Sequence, residues 1–319
     1  MSDSLIAQNS EMTQGLLPIR GVIPILQTAF CDDGSLDLNS LYREVQFARE
    51  SGARAVVFPG FGSEWWKLSG EEILRCAKVI ASACDNSTMF IANVTAQSRY
   101  TAVGQTEAFL RLGASAIMCL LPSVFPLTEE AAINHLRAIL SVERVPMILQ
   151  YTDSSTTPRF APDRLVSLHK EYSNFCCMKL DFSPACTVLT ELVRAFSGLQ
   201  VTFIAGFAGL HLPELMTRGA LGFMPGTGYL PACIHVFQEL QHNPQSGRVE
   251  FERLLPLISF EMQTIEFSIA LHKWLLREFG VIKSDHVRPP GLQIDRFQRA
   301  ELKRFMKMIR SRSDKNQCV

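Results

Sequence analysis

One lysine stands near the end of an apolar run: residues 174–183 read NFCCMKLDFS. An amine held among apolar atoms has its protonated form disfavoured, which makes it a nucleophile able to form a Schiff base with a carbonyl. Alternation along a strand puts Phe175, Cys177 and Lys179 on one face. Two readings of Lys179 stand side by side: a side chain that snorkels past the strand end or pairs with Asp181, and a buried nucleophile. Cys176 and Cys177 read as packing groups.

A second stretch, PGFGSEWWKLS at 59–69, has the composition of an anion site. Its glycines let backbone N–H groups turn toward a carboxylate or phosphate, and Ser63 adds a hydroxyl. Gly60 and Gly62 begin a dinucleotide fingerprint, but the third glycine is missing and that reading is rejected. Glu64 is expected to brace the loop by accepting backbone hydrogen bonds, and Trp65 and Trp66 to serve core or subunit contacts. Two more glycine-rich turns, AGFAG at 205–209 and MPGTGYLP at 224–231, either leave room for a substrate at Gly206 and Gly226 or are simply tight turns. His211 reads as a surface residue. No His, Cys and carboxylate cluster has metal-ligand spacing, so neither metal nor cofactor is expected.

These residues need elements to hold them. Three segments, ESGARAVVF (50–58), RLGASAIMC (111–119) and TRGALGFMP (217–225), each close a helical pattern with glycine and open an apolar run. Glycine just past a helix takes the left-handed conformation cheaply, and the run that follows reads as a strand buried on both faces. With 21–28, 88–94, 145–151, 175–180 and 201–206 the strands number eight, each followed by a helical pattern. The pattern predicts an α/β fold, a (β/α)8 TIM barrel over 19–232, although a doubly wound open sheet uses the same elements. Helices over 233–241, 249–279 and 297–310 form a C-terminal helical segment (233–311) packed on the barrel. Residues 1–18 are expected to be a flexible extension and 312–319 a disordered tail.

Bulk composition narrows the partners. Lysine plus arginine and aspartate plus glutamate are 31 each, so no global field favours nucleic acid or an anionic membrane. The nine cysteines show no CxxC spacing and read as reduced thiols. The N-terminal residues lack a signal-peptide pattern, and no run approaches the ~20 apolar residues of a membrane helix. A soluble, cytoplasmic protein is expected.

Taken in order, GVIPILQTAF, the segment from GSLDLNSL to GFGSEWWKLSGEE, RLGASAIMCLLP, VPMILQY, MKLD and GALGFMPGTG resemble the landmarks of the dihydrodipicolinate synthase/N-acetylneuraminate lyase family of class I aldolases. The resemblance implies a barrel with C-terminal helices, assembled as a homotetramer, a dimer of dimers. It implies that Lys179 forms a Schiff base with a small-molecule 2-keto acid, and that the loop carrying Gly62 and Ser63 takes the keto-acid carboxylate. Gly206 and Gly226 would shape the wall.

The chain departs from the family pattern where protons move. The tyrosine that usually follows Ile-Leu on the fifth strand is replaced by Gln150, and glutamine does not titrate usefully. Gln150 is then a substrate contact. Tyr151 serves as the relay only if the register shifts by one residue, because an unshifted strand points it to the other face. The tyrosines expected after the fourth strand correspond to Ser123 and Val124, and the arginine that grips a second carboxylate falls among residues 153–157, DSSTT. A branch with Ser-Glu-aromatic after the second strand and Gln on the fifth is similar, and it implies an aldolase or dehydratase (a carbon–carbon or carbon–oxygen lyase) of 2-keto-3-deoxy sugar acids. The alternative is a non-catalytic relative that binds a keto acid as a sensor or structural subunit.

Overall fold

In the computed structural model, which describes residues 19–316, Gly52, Gly113 and Gly219 adopt φ of +100°, +98° and +113°. These are the three helix-to-strand joints expected from the sequence. The strands they feed are β2 (Ala55–Phe58), β4 (Ala116–Leu120) and β8 (Gly222–Phe223). The others are β1 (Gly21–Val22), β3 (Met89–Val94), β5 (Met147–Thr152), β6 (Phe175–Asp181) and β7 (Thr202–Ala205). The expected extension over 1–18 lies outside the described residues.

All eight strands pair in parallel in the order β1-β8-β7-β6-β5-β4-β3-β2. The two ends of that order meet at Ile25, which bridges both Val57 and Gly226. Neighbours in sequence are thus neighbours in the sheet and the sheet returns on itself: a TIM barrel, not an open doubly wound sheet. β1 is shorter than the expected 21–28 because Pro24 has no N–H to give the ladder. Its carbonyl still accepts from the Val57 N–H at 2.9 Å, and the Leu26 N–H donates to the Val57 carbonyl at 3.0 Å. β8 stops before Pro225 for the same reason.

Between the strands run α1 (Leu38–Glu50), α2 (Gly70–Ala83), α3 (Arg99–Arg111), α4 (Glu129–Leu140), α5 (Pro162–Glu171), α6 (Ala185–Ala195), α7 (Leu212–Thr217) and α8 (Leu230–His242). Asp37, Ser69, Ser98 and Thr128 cap the first four, each accepting a first-turn N–H worth about 1 kcal/mol. Strand alternation sorts the core into two layers. Ile25, Val57, Ile91, Met118, Ile148 and Cys177 fill the barrel, while Leu149, Tyr151, Met178 and Leu180 face the helices.

The C-terminal segment continues as α9 (Pro244–Glu261), α10 (Ile265–Glu278) and α11 (Arg296–Asn316). The single helix expected over 249–279 is two, bent by 117° at their junction. Thr264 is extended there and its side chain accepts the Phe267 N–H, so a new helix begins where the amphipathic pattern alone shows no stop. Among the described residues no single helix is long and apolar enough to cross a membrane. The tail expected from 312 continues as helix to Asn316, since 311–316 hold no glycine or proline to end it.

Candidate active site

Lys179 is 4% exposed, at the C-terminal end of β6, beside Gln150 of β5 in the strand register. It does not snorkel out. Its ammonium forms an ion pair with Asp181, two residues on and on the same face of the strand. The oxygen that takes the amine, Asp181 Oδ2, also accepts from Gln150 Nε2 at 2.9 Å, while Oδ1 accepts the Phe207 N–H at 3.1 Å. Gln150 Oε1 is buried without a hydrogen-bond partner.

The turn that supplies this N–H is strained. Phe207 and Ala208, within the tight turn Phe207–Gly209, have φ of +49° and +51°, a conformation that costs a side-chain-bearing residue about 1–3 kcal/mol. Gly206 just before them has a different job from the one its sequence suggested. A Cβ there would lie 2.0 Å from Asp181 Oδ1 and 2.4 Å from the Leu180 carbonyl oxygen, so Gly206 makes room for Asp181 and does not line the cavity.

The relay reading of Tyr151 is corrected by the register. β5 and β6 shift once, between Met147 and Ile148, and that leaves Gln150 opposite Lys179 with Tyr151 on the helix-facing side. The Tyr151 ring packs 5.4 Å from Phe160 and 4.5 Å from Phe182, and its hydroxyl oxygen accepts the Phe160 N–H at 2.9 Å. Burial raises its pKa. A phenol so placed exchanges no proton with Lys179.

The loop after β2 opens with the turn Phe61–Ser63. Ser63 is fully buried; its hydroxyl accepts the Gly60 N–H at 2.9 Å and donates to the Leu26 carbonyl at 2.5 Å. It pins the loop to the segment that follows β1 and offers nothing to a ligand, which corrects the expected substrate role. Gly62 does line the cavity, and a Cβ on it would lie 3.0 Å from Gln27 Nε2. By turn geometry, the N–H groups of Phe61 and Gly62 have no carbonyl inside the turn to bond. The Gln27 amide, fully buried beside them, has neither atom hydrogen-bonded within the protein. Glu64 braces the loop, but through ammonium groups and not backbone N–H. Its carboxylate lies between Lys67, at 2.7 Å, and Lys273, which in turn donate to the carbonyls of Arg288 and His286. Burial pulls the Lys273 pKa down to about 8 against the opposing pull of Glu64.

The loop, the strand ends and the bend between α9 and α10 enclose a cavity of about 640 Å³. Glu261, Ser268 and His272 line its roof. The Gly228 N–H donates to His272 Nδ1 at 2.9 Å, so Nε2 carries the hydrogen and donates to Glu261 Oε1 at 2.8 Å. Ser268 donates to the same carboxylate at 2.6 Å, and Tyr229 donates to its other oxygen. Burial pushes Glu261 up, but His272, Ser268 and Tyr229 more than reverse it, holding the group below the usual carboxylate range. Gly226 lines the cavity as expected, yet a Cβ on it would meet the His272 ring at 2.3 Å; its bareness accommodates the roof.

One wall is formed by residues 152–157, five of whose six side chains are hydroxyls. Lys179 is the one lysine or arginine among the lining residues, and Arg159 instead lies 3.7 Å from Glu191 at the surface. Among the described residues no three His, Cys, Asp or Glu side chains converge as metal ligands. Sequence reasoning missed Asp181 as the hub, though its i+2 spacing from Lys179 was a signal. It also missed Gln27 and the roof, for which the helical pattern carried none.

Similarity to known proteins bears on the family and the fold. The model of the dihydrodipicolinate synthetase family matches residues 18–309. The chain is 25% identical over 289 residues to an L-2-keto-3-deoxyarabonate dehydratase of Azospirillum brasilense, covering 89% of this chain and 92% of that protein. It is 23% identical over 296 residues to a 4-hydroxy-tetrahydrodipicolinate synthase of Chlorobium phaeobacteroides, covering 91% and 97%. In fold it is similar to the crystal structure of dihydrodipicolinate synthase from Rhodopseudomonas palustris, with a TM-score of 0.84 at 24% identity over 92% of this chain and 99% of that one. With an eight-stranded parallel barrel, C-terminal helices and a family match across nearly its whole length, the chain belongs to the dihydrodipicolinate synthetase family.

Proposed function

We propose that the protein is a Schiff-base-forming lyase acting on a 2-keto acid, and within that class a dehydratase or aldolase of 2-keto-3-deoxy sugar acids. The observation that carries this reading is Lys179, a buried amine in the lining of a cavity that has no other lysine or arginine among its described lining residues. The amine attacks the C2 carbonyl, and the resulting iminium draws electrons from C3. The carboxylate is taken by the Phe61 and Gly62 N–H groups at the start of the turn and by the Gln27 amide beside them, whose side-chain atoms have no partner within the protein. Gln150, buried and not among the residues that line the cavity, acts on the site through its donation to Asp181 Oδ2 and not by touching the substrate as expected. The hydroxyl-bearing wall at 152–157 suits a neutral polyol chain better than a second carboxylate, which would lack a cationic partner there. The dehydratase similarity favours C–O over C–C cleavage.

Borohydride reduction in the presence of pyruvate and of 2-keto-3-deoxy acids tests the reading: the expected result is a covalent adduct on the peptide carrying Lys179, absent from Lys179→Ala. No adduct across a broad 2-keto-acid panel would overturn it. The second reading, a keto-acid sensor without catalysis, is favoured by one observation, the outward-facing Tyr151; binding without adduct or turnover is its signature. We place the protein in the cytoplasm as a homotetramer. Tyr100, Val124 and Phe125, exposed at 89%, 62% and 75% on the segments that follow β3 and β4, are suited to the subunit contact.

A further inference from the structure

We propose that Asp181 is the acid–base group of this site, carrying the proton between Lys179, the substrate's C3 and the departing hydroxyl; the inference rests on the Schiff-base reading above. Three observations point to it. Asp181 is the carboxylate in contact with the Lys179 amine. Other titratable groups nearby are excluded by their bonding or placement. Tyr151 faces the helices, Glu261 is committed to three donors, both His272 nitrogens are engaged, and Asp153, though it lines the cavity wall, is solvent-exposed beyond the end of β5.

The second observation is that the protein is shaped around this carboxylate. Two left-handed residues, Phe207 and Ala208, turn an N–H onto Oδ1, and Gly206 leaves the space a side chain would deny it. A charge partner for a lysine needs neither device, whereas a proton carrier must be held at a fixed angle to the atoms it serves. The third is Gln150, which donates to Oδ2, the same oxygen that takes the amine. Where a titrating side chain is absent from β5, the residue present instead orients the one on β6.

Asp181 accepts a proton from the Lys179 ammonium, the freed lone pair adds to C2, and Asp181 returns the proton to the carbonyl oxygen. It then accepts one of the two protons left on the adduct nitrogen and delivers it to the C2 hydroxyl, which leaves as water to give the iminium with its one N–H. The carboxylate next takes a proton from C3, the C–H pair forming C2=C3 and the iminium pair returning to nitrogen. As the enamine reverses this flow, the C4–O bond breaks and Asp181 protonates the departing oxygen, releasing a second water. In the C–C alternative Asp181 takes the C4 hydroxyl proton and later protonates C3 of the enamine.

Deuterium exchange at C3 of pyruvate in heavy water reads this role separately from imine formation, which borohydride trapping reads. The wild type is expected to trap and to exchange. Asp181→Asn, which retains an acceptor for the Phe207 N–H, is expected to trap more slowly, because the same carboxylate frees the Lys179 amine, while exchange per trapped adduct falls about 100-fold or more. Exchange within a factor of about three of wild type would overturn the proposal. If Asp181→Asn neither traps nor exchanges, Asp181→Gly with added formate decides: recovery of exchange by about tenfold or more supports a lost proton carrier, and no recovery counts against it. A wild type that traps but does not exchange overturns the role of Asp181 alone. A wild type that does not trap removes the Schiff-base reading, and this proposal with it.

Discussion

Replacing Tyr151 by phenylalanine removes one hydrogen bond, the one accepted from the Phe160 N–H, and changes nothing in the cavity. Tyr151→Phe is therefore expected to lose about 1–2 kcal/mol of stability by leaving that buried N–H unpaired, with pyruvate trapping unchanged. Denaturant unfolding and borohydride adduct yield check the two halves; a lost adduct in a folded variant would return the tyrosine to the chemistry. The same residue marks the limit of what the sequence carries. Lys179 was legible because a charge in the run FCCMKL has few places to go. The neighbours Gln150 and Tyr151 were not separable, because one step of register exchanges the faces of a strand. Ser63 misled for another reason: a hydroxyl in a glycine-rich loop looks the same whether it faces a ligand or pins the loop to the Leu26 carbonyl.

At the scale of elements, the loop after β2 is held from α10 by the buried Glu64–Lys273 pair. Glu64→Gln leaves Lys273 without its counter-charge and is expected to cost roughly 3–5 kcal/mol at pH 7. The sign of its pH dependence follows from Lys273, whose folded pKa of about 8 lies below its ordinary 10.5. The unfolded chain holds the proton over a range where the fold sheds it, so the stability contribution of this group rises with pH between those values. Without Glu64 the folded value falls further, and part of the loss at pH 7 is expected to return at pH 9. Urea midpoints of the variant and wild type at the two pH values check this; an equal deficit at both would place the energy elsewhere. The helix-to-strand joints were readable from three glycines, whereas the bend after α9 was not. The amphipathic pattern runs through EMQTIEF without glycine or proline, and Thr264 acts as a cap only once the chain has turned.

For the whole molecule, closure of the barrel follows from the strand order, which no single strand pattern encodes. The proposed subunit assembly would be carried by the surface. If the face bearing Tyr100, Val124 and Phe125 joins copies of this chain, Phe125→Ser is expected to shift a tetramer to a smaller species in light scattering, with the fold intact by circular dichroism. An unchanged mass would move the contact to another face. The roof has a consequence for how the protein is made. The lysine arrives on β6 and its carboxylate partner two residues later. The groups that hold the loop and cover the cavity, Lys273, His272 and the carbonyls of His286 and Arg288, emerge only after all eight strands. During synthesis the reactive amine therefore exists before there is a compartment for it. Any chain interrupted between β8 and α10 would carry the nucleophile open to water, so the competence of the site is acquired at the end of translation.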